Sequence, residues 1–243
     1  MNTKGKTSIK ENKPMMTNST LMRLAGVSAM LAGLGFIVVG MFHPLNIPSS
    51  VTTAAWINVH IVAIVMGFFG LFGMVGLYVR QAEKSGWLGL AGFLLFSIWL
   101  ALVMPFSFVE AFILPRLATE LPKFVAGFLG IFTGIPSEVD LGVLPMFWKI
   151  SDPMYLLGPL LFGIATFRAG ILPRWAGALL VVGSVLAPVG ALAVPAEYQP
   201  LVLVPNGLAL IWLGFTLVSE RRVKTSESLL DQRTATPKPS QVA

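Results

Sequence analysis

Only two histidines occur among the 243 residues, His43 and His60, and each sits at the edge of a long apolar run. An imidazole placed there can hold a proton, a metal ion or a haem iron. Glu110 lies just past a third apolar run and could complete a His–His–carboxylate set. Charged groups at membrane depth are costly, so an ionisable side chain in such a run is a candidate for function. His60 shares a helical face with Trp56, Ala63 and Gly67, a face rich in small residues, so it is expected to point into a bundle and not toward lipid. Tyr155 and Asn206 fall in the outer third of later runs, and with Trp56, His60 and Glu110 they define a candidate polar pocket.

A haem b held by His43 and His60 is the competing use of the same residues. The spacing does not demand it, because the two histidines are expected to differ in depth by about 9 Å if the second helix enters the membrane near Ala54. No metal is assigned. Ser151-Asp152-Pro153 reads as a helix start, with Asp152 as a capping residue rather than a ligand and proline at the first helical position. Glu197 falls in a solvated loop. HExxH, GxSxG, a Walker loop and a dinucleotide fingerprint are all missing from the sequence, so no catalytic residue is assigned and an enzyme is not expected. Cysteine is absent, which removes disulfides, thiolate nucleophiles and thiol redox chemistry.

The elements that must position these groups are membrane helices. Hydrophobic residues make up 55 % of the chain and charged ones 12 %, with a mean hydropathy of +0.79; soluble domains carry about 25 % charge. From Val59 to Val79 no charged residue occurs and His60 is the sole histidine. A run of that length spans roughly 30 Å as a helix, the thickness of the hydrocarbon core. Glycines at 67, 70, 73 and 76 drift by about 60° per step around this helix, so more than one neighbour should pack on it. The expected spans are 24–43, 54–79, 87–109, 153–169, 174–194 and 200–219. Residues 1–20 and 220–243 are expected to be disordered tails, 81–86 a polar turn, and 110–150 an irregular outer segment. Within that segment, 124–132 is apolar but too short to cross, which suggests a re-entrant or interfacial piece.

Six spans would put both tails on one side. That side collects Lys4, Lys6, Lys10, Lys13, Arg23, Arg80, Lys84, Arg168, Arg174, Arg221, Arg222, Lys224, Arg233 and Lys238, fourteen of the seventeen basic residues. By the positive-inside rule it is cytoplasmic. Trp87 and Trp175 then belong to an inner aromatic belt, Trp56 and Trp148 to an outer one. The net charge of +6 is spread over helix ends and tails and not gathered in a patch, so nucleic acid is not an expected partner. Arg80 with Trp87 and Arg168 with Trp175 repeat one spacing, which hints at a duplicated hairpin of the kind secondary transporters use.

His43-Pro44, the early histidine of the second run and the turn Gly170-Ile171-Leu172-Pro173-Arg174-Trp175 together resemble uncharacterised bacterial six-helix integral membrane proteins. The resemblance implies topology and no activity. The expected protein is an all-α polytopic transmembrane bundle, with both termini inside, in the bacterial plasma membrane. Its lipid bilayer is the one sure partner, and a small molecule or lipid bound in an outer-facing pocket is the expected ligand.

Overall fold

The structure is a computed structural model that describes residues 17–234, and the side chains among them except those of 191 and 220–234. All its regular elements are helical: α1 (Asn18–Phe42), α2 (Ala54–Phe108), a π turn (Val109–Ile113), α3 (Leu114–Leu117), α4 (Pro122–Thr133), α5 (Leu144–Ala169), α6 (Arg174–Ala193), a 3-10 turn (Gln199–Leu203) and α7 (Val204–Thr234). No strand occurs among the described residues. The protein is an all-α helical bundle. Four helices are long and apolar enough to cross a membrane: Asn18–Phe42, Ala54–Leu117, Leu144–Ala169 and Gln199–Ser219.

Helix α2 is two arms. Gly86 adopts φ 56°, ψ −154°, a conformation that a side chain would strain, and it breaks the helix into α2a (54–85) and α2b (87–108). The arms fold back on each other: Tyr78 stacks on Phe93 with ring centroids 4.7 Å apart, and Gly67 and Gly70 face Leu100. The expected six-residue polar turn is therefore a single residue. Gln81 to Ser85 stay helical because Gln, Ala, Glu and Lys favour helix, and only glycine supplies the reversal.

The two arms, with α1, α5, α6 and α7, close an antiparallel ring in the order α1, α2a, α2b, α5, α6, α7 and back to α1. Small residues set every close approach. Gly73 and Gly76 pack on Ala29 and Ala25 of α1, while Gly67 and Gly70 pack on α2b, so this row does serve two neighbours. Gly92 and Gly158 seat α2b against α5, and Gly163 meets Gly177 between α5 and α6. Along the seam of α1 with α7 and the 3-10 turn before it, Gly26, Gly33 and Gly40 recur every seven residues opposite Gly214, Gly207 and Pro200. Phe36, Phe96 and Trp99 fill the middle of the ring.

Three boundaries differ from expectation. Helix α5 begins at Leu144, with Pro145 in its first turn, so Ser151-Asp152-Pro153 lies inside it and is no cap; Pro145 provides the N-terminal signal about two turns earlier. Helix α7 runs on to Thr234, past the expected tail boundary at 220. Residues 220–234 contain neither glycine nor proline and are rich in Glu, Arg, Lys and Leu, all good helix formers. Helix α1 starts at Asn18, because Thr17 caps it by accepting the Thr20 N–H; residues 1–16 of the expected N-terminal tail, like 235–243, lie outside the described residues.

Candidate functional site: a buried His–Glu layer

At the end of the bundle opposite Gly86, four side chains meet. Helix α2a enters on a Thr53 cap, whose hydroxyl accepts the Trp56 N–H at 3.2 Å. One turn later His60 Nδ1 lies 2.7 Å from the Trp56 carbonyl oxygen. A carbonyl can only accept, so Nδ1 carries the proton and Nε2 is left to receive one. That Nε2 lies 3.2 Å from Glu110 Oε2. The two are within ion-pair reach but lack the alignment of a hydrogen bond, so His60 Nε2 keeps an unsatisfied bonding direction in a dry place. His60 is 2 % and Glu110 6 % exposed, which makes both part of the interior.

Glu110 is held inward by local backbone. Sequence reasoning places it beyond the third helix, but the chain continues through the π turn Val109–Ile113. Pro105, four residues before Val109, cannot donate to the ladder, and Val109 N–H is shared between the carbonyls of Pro105 and Phe106. Glu110 thus stays on the face of buried Phe106 and Ser107. Its carbonyl accepts the Trp56 indole N–H at 2.9 Å. Trp56 is fully buried rather than part of an outer belt, a correction with a clear cause: Val51 and α4 cover it. Helix α4, about 18 Å long, caps this end: its Phe128 and Phe132 pack on Phe106 of α2b, and Phe106 and Phe132 stand edge-on to the half-buried Trp148.

His43 joins the layer. It caps α1, and its ring stands edge-on to His60 at 5.0 Å and to Trp56 at 5.8 Å between centroids. The expected difference in depth is absent, because α2a enters already packed antiparallel on α1, so His60 comes level with the end of α1. Like His60, His43 spends Nδ1 on a backbone carbonyl, that of Pro44 at 2.7 Å. A haem b does not fit here: the rings touch edge to face with no slot for a macrocycle between them, and His60 Nε2 faces Glu110 and not His43. Among the described residues no trio of His, Asp or Glu is placed to hold a metal.

The remaining pocket candidates stand apart. Asn206, fully buried on α7, donates from Nδ2 to the Tyr155 hydroxyl of α5 at 3.2 Å, while its Oδ1 has no partner. Tyr155 also rests on Trp99 at 4.6 Å, and Gly183 of α6 leaves the space that the Asn206 amide fills. This pair ties three helices together below the His60 layer. A third buried polar pair went unread in the sequence: Gln81 Nε2 donates to Thr166 Oγ1 at 2.9 Å near the Gly86 end. Its only sequence signal is that a helical α2a extending past Arg80 turns Gln81 to the same face as Leu77. Exposed Asp152 and Glu197 join none of these groups. No family model matches the chain, and neither curated proteins nor solved structures show significant similarity to it.

Proposed function

We propose that this chain is a multi-pass protein of the bacterial plasma membrane, with six spans and both termini cytoplasmic, that binds a small hydrogen-bonding molecule or lipid headgroup at its outer end. The supporting observation is the contact of His60 Nε2 with Glu110 Oε2 at 3.2 Å, buried yet unaligned. A buried polar atom without a proper partner costs free energy, about 1–3 kcal/mol. A ligand that supplies a hydroxyl or amide to the two recovers that cost. Since Trp56 and His60 are sealed, such a ligand enters by displacement of α4 or of the loop 43–53. Native mass spectrometry of protein extracted in mild detergent tests this reading. The unsubstituted protein should carry a bound small mass that the His60→Ala/Glu110→Ala double variant loses. Equal retention in both, or no bound species in either, would refute it.

A second reading, a small secondary transporter, draws support from buried polar groups at three depths: His60–Glu110, Asn206–Tyr155 and Gln81–Thr166. Proteoliposomes in which the unsubstituted protein and His60→Ala acidify alike under an imposed gradient would remove it.

A further inference from the structure

The polar atoms left over in the His60 layer are acceptors. Both histidines give their Nδ1–H to a carbonyl, His60 to Trp56 and His43 to Pro44, each at 2.7 Å, which leaves each Nε2 as a lone pair. The Glu110 carboxylate adds acceptors and no donor. The indole N–H of Trp56 is already given to the Glu110 carbonyl. In the adjoining loop, three residues past His43, Asn46 Oδ1 is a further buried acceptor without a partner. Nor does a cation meet them. Among the described residues the basic side chains of this end, Arg116, Lys123 and Lys149, are all exposed, and Lys123 pairs with Glu138 at 3.1 Å. A second proton on His60 does not supply the missing donor, because Nε2 is aligned with no acceptor, Glu110 Oε2 at 3.2 Å included.

The geometry points to a primary ammonium, R–NH3+, as the ligand of this layer, held by Glu110 and His60 with His43 beside them. This rests on the pocket reading above and names the chemistry of the occupant. An ammonium carries one positive charge and three N–H donors on a single small nitrogen. The charge answers the Glu110 carboxylate, since a buried charge is stable when an opposite, hydrogen-bonded charge sits against it. The donors answer the lone pairs. His60 Nε2 and Glu110 Oε2, 3.2 Å apart, are close enough for one nitrogen to bond both, and the His43 ring stands 5.0 Å from that of His60. The Trp56 ring, 4.3 Å from the His60 ring, adds the attraction of an aromatic face for a cation. An anion, or a ligand that only accepts, would meet lone pairs on every side. A free amine and a lipid headgroup share the ammonium, and the experiment separates them.

The test uses the full chain in small vesicles of phosphatidylcholine, whose headgroup has no N–H. The readout is a saturable rise in the temperature of unfolding, followed by tryptophan emission, as each probe is added at neutral pH. Ethanolamine should act at concentrations several-fold lower than choline, which has the charge and no N–H, or ethylene glycol, which has hydroxyls and no charge. Phosphatidylethanolamine mixed into the vesicles is the lipid arm; a rise with it and none with free ethanolamine identifies a headgroup as the source. Glu110→Gln keeps the shape and removes the charge, so it should abolish the preference for ethanolamine over ethylene glycol. His43→Phe, at the half-buried edge of the layer, should weaken the response to ethanolamine several-fold. Choline or ethylene glycol acting as well as ethanolamine, or no response to either source of ammonium, would overturn the assignment. So would an unchanged preference in both variants. The bound mass sought above is read separately: if it is present, and lost in the double variant, while the ammonium probes do nothing, the pocket stands and the ammonium alone falls.

Discussion

Replacing Gly33 by alanine probes the packing on which the whole bundle rests. A Cβ on Gly33 would run into the carbonyl of Gly207 and would lie 2.8 Å from Ile211 Cγ1 and 2.9 Å from Ile211 N. Two of these three atoms belong to the α7 backbone, so no change of rotamer clears them. To reach the 3.4 Å at which ordinary contact begins, α1 and α7 must part by more than half an ångström at Ile211 and by about one ångström at the Gly207 carbonyl. The separation also loosens Gly26 against Gly214 and Gly40 against Pro200 along the same line. Overpacking of this kind costs ~1–3 kcal/mol, while alanine gains ~1 kcal/mol over glycine in helix propensity. The net expectation is a loss of about 1 kcal/mol, with Gly33→Val distinctly worse. Leu31→Ala, on a half-exposed outward position two residues away, should change far less. Reversible unfolding in mixed micelles, followed by helical circular dichroism, measures all three. If Gly33→Ala unfolds at the same or higher denaturant than the parent, the helices are not held at backbone contact and the packing argument fails.

Three further outcomes are expected. In a double-mutant cycle, His60→Ala and Glu110→Ala should each destabilise by roughly 1–3 kcal/mol, and the double variant should cost at least ~1 kcal/mol less than their sum; strict additivity would show that the two do not interact. Gly86→Ala meets no atom within 4 Å, so any loss comes from its backbone conformation alone and should be ~1–3 kcal/mol; unchanged stability would mean that the hairpin turns elsewhere. Because the chain has no cysteine, single cysteines report orientation cleanly: Thr52→Cys should react with an impermeant maleimide on intact cells and Lys84→Cys only after permeabilisation, and the reverse pattern would invert the proposed topology.

What could be read in the sequence was whatever depends on local composition. An apolar run in lipid has to bond its own backbone, so the helices at 24–43, 54–79 and 174–194 were legible from residue types alone. The inward face of His60 followed from the small residues at its helical spacing, and the two-sided packing of Gly67 to Gly76 from their drift around the helix. The heptad of Gly26, Gly33 and Gly40 was equally visible in the sequence, but its partner was not, since which helix a glycine faces is settled by ring closure.

Tertiary structure decided the rest, for a common physical reason: burial and contact depend on groups distant in sequence. Trp56 looks like an interface residue until Val51 and α4 cover it. Glu110 looks like a loop residue until the π turn after Pro105 carries the helix one turn further and sets the carboxylate beside His60, fifty residues away. His43 and His60 come level because α1 and α2a pack antiparallel from the start of α2a, a match of depth that counting residues from a presumed membrane edge could not give. The sequence alone established that oily helices carry a few ionisable groups; the closed ring determined which of those groups touch.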